Sequence, residues 1–220
     1  MKRRKFQWIW LFLGAILISG TCGFGYEAKR TRSQFEEAKD AFSRNDWEKV
    51  IDHLTPTPDI GRPSPKAFAA FLHRYVDPEL ASHEYKIESV ETKSSLVPIN
   101  NEYIGYREEG ARQPLVMLRY VDDSVWFDIP FSTRKMGIFR GKLINMSFVS
   151  TFARVCRSSY PQTDRANSWK SVRKFVEAEK HHLDDMGITP ANLYSRATTW
   201  DDYVNDYEDR VKKWRDSQRI

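Results

Sequence analysis

Apolar and polar positions divide the chain into an uncharged run, a helical stretch, a strand-rich middle and a second helical stretch. Phe6 to Tyr26 carries no charged side chain. After it, Phe35, Ala38, Ala41 and Phe42 recur at helical spacing, and Ser33-x-x-Glu36 reads as a capping box for that helix. Ser43 to Asp46 breaks the pattern, and Asn45-x-x-Glu48 caps a second helix with Trp47, Val50, Ile51 and Leu54. Together they predict a helical hairpin. Pro56, Pro58, Gly61, Pro63 and Pro65 form a rigid connection. Ser64-Pro65 then starts a third helix with the stripe Phe68, Phe71, Leu72 and Tyr75, which Asp77-Pro78 is expected to end.

The middle alternates with a period of two. Tyr85–Leu96 and Glu102–Arg107 read as strands separated by Pro98 to Asn101. Leu115 to Phe131 reads as a hairpin turning on Asp122-Asp123. That turn would put Val116, Leu118, Tyr120, Val125, Phe127 and Ile129 on one face, packed on helices. Arg119, Trp126 and Asp128 would share the other, with Arg119 opposite Trp126. Pro130 suits a strand end. Residues 132–141 read as a basic loop with Gly137 and Gly141, and 143–152 fits strand or helix. Beyond Pro161, Thr163 or Asp164 caps a helix bearing Trp169, Val172, Phe175 and Val176 that ends near Gly187. A short helix starts at Pro190. Thr199-x-x-Asp202 opens the last one, striped by Trp200, Tyr203, Tyr207, Val211 and Trp214. That stripe is expected to be buried against the chain's own body; a docking surface for a protein partner is the competing reading.

The uncharged run changes the picture most. As a helix its 21 residues reach about 30 Å, the thickness of a bilayer's hydrocarbon core. Lys2, Arg3, Arg4 and Lys5 precede it, and Trp8, Trp10 and Tyr26 lie near its ends. The reading is a single-pass anchor in the cell membrane, with a cytoplasmic N-terminus and an extracytoplasmic remainder. Two alternatives stand beside it: a signal peptide cleaved after the Ser19-Gly20-Thr21 stretch, and a lipoprotein signal with Cys22 lipidated. The formal charge of the 220-residue chain is +5, from 35 Lys and Arg against 30 Asp and Glu. Residues 1–32 hold seven of those cations and one acid, which leaves 28 against 29, or −1, for the rest. The basic balance therefore belongs to the flanks of the uncharged run and not to a nucleic-acid surface. Cys22 and Cys156 are the two cysteines, and a disulfide between them is not expected.

Candidate chemistry is sparse. The sequence has no Walker loop, Gly-x-Ser-x-Gly, Gly-x-Gly-x-x-Gly or His-Glu-x-x-His. His181-His182-x-Asp184-Asp185 offers two metal ligands on one helical face without a third, so it reads as a solvated helix end, and no metal or other cofactor is expected. His53, His73 and His83 are scattered. Gly137-x-x-x-Gly141 among Arg134, Lys135, Arg140 and Lys142 reads as a mobile basic loop before an anion site. Asn145-Met146-Ser147 is a glycosylation sequon by pattern. The best candidate for a lined cavity is the Arg119, Trp126 and Asp128 face; its plainer reading is a cation–π pair and a salt link facing solvent.

A helical hairpin, a third helix and a run of antiparallel strands is an order that resembles the NTF2-like, cystatin-like α+β roll. Phe35 to Leu54 looks like the opening helices of its membrane-anchored bacterial members. The resemblance implies an α+β fold over about residues 33–150; residues 1–28 read as the anchor and 151–220, outside the family's pattern, as a C-terminal helical extension. Catalytic members would have a pocket lined by Asp and His, and no such pair is matched here. The expectation is a membrane-tethered, non-catalytic domain that binds a partner or serves as an accessory subunit of an envelope complex. The alternative is a small-molecule pocket protein or enzyme using Arg119 and Asp128.

Overall fold

The computed structural model describes residues 31–55, 63–93, 100–128, 135–162, 167–193 and 196–217. For residues 92–93, 100–101, 121–128 and 135–143 it describes the backbone alone. The uncharged run 6–26 lies outside these residues, as do the caps Thr163 and Asp164; among the described residues no helix is long and apolar enough to cross a membrane. The fold is α+β with one four-stranded antiparallel sheet. Helix α1 (31–43) is followed by α2 (Trp47–Asp52), α3 (Pro65–Phe71), a π turn (Leu72–Val76) and α4 (Asp77–Ser82). Strands β1 (Tyr85–Lys93), β2 (Asn100–Glu108), β3 (Val116–Asp128) and β4 (Lys135–Met146) form a meander in that order. Helices α5 (Phe148–Ser159), α6 (Ser168–Asp185) and α7 (Trp200–Ser217) follow the sheet.

The strand register explains the core. It puts Glu102 opposite Tyr120, Ile104 opposite Leu118 and Tyr106 opposite Val116. Tyr120 and Leu118 in turn oppose Ile144 and Met146 of β4. All eight are buried, so one sheet face is closed by α1 and α2. Phe35 stacks on Tyr120 at 5.0 Å and Phe42 on Tyr106 at 5.1 Å. The Tyr106 hydroxyl donates to the Phe42 carbonyl at 3.1 Å and to Asn45 Oδ1 at 2.8 Å, which ties the α1–α2 turn to the sheet. At the β4 edge, Ile144 N–H donates to Thr55 Oγ1 and Thr55 N–H to the Ile144 carbonyl, both at 2.9 Å.

The C-terminal helices share this core. Phe152 of α5 packs on Phe71 and Phe175 at 5.8 and 5.5 Å and stacks near Trp200 at 6.4 Å. The stripe on α7 divides: Trp200, Tyr203 and Val204 are buried, and Trp214 is 42% exposed. Trp200 Nε1 donates to Asp184 at 2.9 Å. The predicted capping box forms, with Asp202 N–H on Thr199 Oγ1 at 3.1 Å and Thr199 N–H on Asp202 at 3.0 Å. Helix α6 stops at Gly187, φ +76°, with the 6→1 bond from Ile188 N–H to the Leu183 carbonyl at 2.9 Å.

Several expectations are corrected. Asp122-Asp123 is not a turn: β3 runs through it, opposite Lys142 and Gly141. The register pairs Asp122 with Lys142 and Asp128 with Lys135, so the ladder continues through both positions. Residues 135–141 are therefore strand and not loop, with Arg140 as the extra residue where the register shifts from Gly141 to Phe139. Without the turn, Val125 and Phe127 fall on the opposite parity to Leu118 and Tyr120. Asp77-Pro78 does not end the third helix. The π turn widens the ladder ahead of it, and Pro78 takes an early position in α4, where its missing N–H costs nothing. Asp46, not Asn45, caps α2; Asn45 takes the left-handed turn at φ 57°. Ser33 lies inside α1 and bonds Glu37 at 3.3 Å. The 143–152 stretch divides at Ser147, which ends β4 and caps α5.

Candidate functional site

An open cleft of 480 Å³ lies where the start of β1, the end of β2, the 109–115 connection and α5 meet. Its apolar surface comes from Tyr85, Pro114 and Leu115. Arg112 reaches it from the connection, Arg154 and Arg157 from successive turns of α5. Gln113 and Ser158 add neutral polar groups, and Glu108 adds one acid.

Local sequence builds this corner. The connection rests on Gly105 of β2: a Cβ there would stand 2.8 Å from Pro114 Cβ and 3.0 Å from the Val116 carbonyl. Only glycine allows Pro114 to seat so close to the strand. Leu115 N–H donates to the Tyr106 carbonyl at 2.7 Å and closes the loop. The floor is pinned from α4. Glu79 accepts from Tyr85 Oη at 3.1 Å and from Ser158 Oγ, and lies 3.3 Å from His83 Nδ1. Burial, with Glu79 beside it, pushes the Tyr85 phenol up to about 12.

The cleft brings together three arginines that meet no carboxylate among the described residues. Arg32, Arg44, Arg74, Arg107 and Arg173 each meet a carboxylate. Arg112, Arg154 and Arg157 make no ion pair or hydrogen bond among the described residues. Arg154 is half-buried, and burial together with the neighbouring Arg157 lowers its pKa from the usual guanidinium value. Like charges on adjacent helical turns cost about 0.2–0.5 kcal/mol on an exposed helix, more where water is excluded. A fork-shaped donor that lines a cavity and bonds no carboxylate is suited to receive an oxyanion.

Two other polar clusters are fully engaged. Glu102, 6% exposed, accepts from Arg32 Nη1 and Lys39 Nζ, each at 2.6 Å. His73 Nδ1 lies 2.7 Å from Asp77, and its Nε2 lies 3.1 Å from Glu48. Trp47 Nε1 donates to the other Asp77 oxygen at 2.7 Å. Burial opposes the charged imidazole, but the bonds to Asp77 and Glu48 outweigh it and raise its pKa. With both ring nitrogens facing carboxylates, His73 bridges Glu48 of α2 and Asp77 of α4. Burial pushes the Cys156 thiol well up, so it is not a nucleophile near neutrality. Ser158 meets Glu79 directly, and His83 approaches Glu79 from elsewhere; this is not the serine–imidazole–carboxylate order of acyl transfer.

The residues singled out in the sequence do not assemble. Arg119 is exposed and opposes Tyr103 and Asn145; Trp126 opposes Gly137, and Asp128 opposes Lys135. Arg119 and Trp126 stand seven residues apart on one strand, about 23 Å. Of the histidine cluster, His182 lies 3.1 Å from Glu179 and Asp184 serves Trp200. Among the described residues, no group of three or more His, Cys, Asp or Glu is arranged to hold a metal. The cleft arginines were legible only as the pair Arg154-x-x-Arg157, a like-charge repeat on one helical face. No family model, curated protein or solved structure matches the chain.

Proposed function

We propose that the chain is a membrane-tethered, extracytoplasmic domain that binds rather than catalyses, a partner-binding or accessory component of an envelope complex. The observation that carries this reading is the uncharged Phe6–Tyr26 run between clusters of cations, joined to a body of nearly balanced charge. A body fixed at a surface by its first helix has no need of the net charge that steers free proteins. Two features support binding over turnover. The polar groups suited to proton chemistry, His73 and Glu102, are spent on structural bonds. Three arginines with no bonded carboxylate among the described residues line one cleft. The likeness to the NTF2-like roll belongs to the same reading; the helical hairpin and third helix on an antiparallel sheet support it. A protein partner docking on α7 would use its last turns, where Trp214 is exposed, since Trp200 and Tyr203 are buried.

A reporter active only outside the cytoplasm, fused after Ile220, tests this. An active fusion of full size is the expected result. An inactive fusion would reverse the orientation, and a product short by about twenty residues would show a cleaved signal peptide.

A further inference from the structure

We propose that the cleft between β1, the 109–115 connection and α5 binds a small organic oxyanion, a carboxylate or phosphate carried on an apolar body, with Arg154 and Arg157 as its principal ligands and Arg112 as a third. The proposal rests on reading the chain as a binding domain, and not on which side of the membrane that domain lies.

Charge is the first argument. Three guanidinium groups border one cavity with no carboxylate bonded to any of them among the described residues. The body outside residues 1–32 has a net charge of −1, so this concentration of positive charge is local and not a general excess. Arg154 is the group most out of place. It is half-buried beside Arg157, and both burial and that neighbour disfavour its charge. An oxyanion between the two would remove the repulsion and occupy both donor forks. Size and surface supply the second argument. A volume of 480 Å³ falls in the range of small-molecule sites, about 300–1,000 Å³, and is far larger than a bare phosphate needs. Tyr85, Pro114 and Leu115 give that extra space an apolar wall, while Gln113 and Ser158 offer neutral hydrogen bonds. Glu108 on the same rim disfavours an extended polyanion and favours a compact ligand with charge at one end. The walls of the cleft are also held in place. Glu79 holds Tyr85 and Ser158 from below, and Gly105 lets Pro114 lie against β2, so the walls are set before any ligand arrives.

The test uses the full chain in nanodiscs of neutral lipid, titrated by calorimetry with phenyl phosphate, phthalate and inorganic phosphate. One-to-one binding of phenyl phosphate or phthalate, stronger than that of inorganic phosphate, is expected. Arg154→Gln and Arg157→Gln should each weaken it about 10- to 100-fold, the worth of a charge-assisted hydrogen bond, while Arg44→Gln in the turn after α1 should leave it unchanged. The Arg154→Gln protein should melt at the wild-type temperature or higher, because an unpartnered charge has been removed. Repeating the titration with acidic phospholipid in the disc identifies the source. A fall in probe affinity assigns the site to a lipid headgroup, and constant affinity assigns it to a soluble ligand; each keeps the site. No saturable binding of either organic probe, or equal binding by the Arg154→Gln and Arg157→Gln variants, would overturn the proposal. So would an Arg154→Gln protein that melts well below wild type, which would make Arg154 a structural cation. A failed titration leaves the topology result standing, and the reverse holds too, so the two readings fail separately.

Discussion

Replacing Glu102 with Gln should cost about 2 kcal/mol of stability at pH 7, and the cost should shrink in acid. Glu102 is the one buried acid among the described residues, 6% exposed, opposite Tyr120 on one side and Glu91 on the other. It holds Arg32 and Lys39 of α1, each at 2.6 Å, and so fastens the sheet to the helix through which any pull from an N-terminal anchor would enter the body. A dry charge-assisted hydrogen bond is worth about 1.5–3 kcal/mol. Arg32 is 44% exposed and Lys39 23%, so water screens both, and the two bonds together should contribute about 2–3 kcal/mol. Gln keeps the shape and one acceptor but turns its amide N–H₂ towards a cation. The pH dependence follows from the sign of the shift. Burial pushes the Glu102 carboxyl up, but the bonds to Lys39 and Arg32 outweigh it and hold it below its ordinary value of 4.5. A depressed folded pKa gives stability that is full above about pH 4.5 and lost as the pH falls through the folded value. Glu48, Asp202 and Glu208 are lowered as well, and His73 is raised, which adds stability at low pH that fades above its ordinary value of 6.5. Those contributions are common to both proteins, so the difference between them isolates Glu102. Urea unfolding of the full chain in detergent micelles, followed by tryptophan fluorescence at pH 7 and pH 3, measures it. A gap under about 0.5 kcal/mol at pH 7, or one that does not narrow at pH 3, would refute the reasoning.

Phe152→Ala should lower stability by about 3–5 kcal/mol in the same assay while unfolding remains one transition, because its ring joins Phe71 to Phe175 and Trp200; a separate early transition for the C-terminal helices would contradict this. Gly105→Ala should cost about 1–3 kcal/mol and shift the amide resonances of Arg112 and Gln113, since the new Cβ would meet Pro114 at 2.8 Å. Alanine is otherwise the better strand residue, so a stabilised Gly105→Ala protein would show that Pro114 does not sit there.

The legible parts of the fold were those where a local pattern and tertiary packing agree. Phe35, Ala38, Ala41 and Phe42 are wholly buried at the spacing that marked them, and Thr199 and Asp202 cap α7 by the bonds their spacing implies. Val116, Leu118 and Tyr120 do face the helices. The middle was misread where local chemistry was outweighed. Asp122-Asp123 has turn character, yet the ladder to β4 runs through it, and no residue near Asp122 announces that partner strand. Pro78 has stop character, yet the preceding π turn accommodates it. The candidate site was less legible than the fold. Arg112 and Arg154 are 42 positions apart, and only the meeting of the β2–β3 connection with α5 brings them to one cleft. Glu102 was missed for a related reason: its buried register position becomes visible only once Tyr120 and α1 are placed around it.

The central claim, a folded body tethered outside the cytoplasm, is tested most directly by proteolysis of right-side-out membrane vesicles that carry the full chain. The account predicts that the protein stays in the membrane through an alkaline wash. It also predicts that protease added outside removes the body and leaves a fragment of about thirty residues around the uncharged run, with its basic N-terminus protected. Release of the whole chain by the alkaline wash, or a body that is cut only after the vesicles are opened, would contradict it.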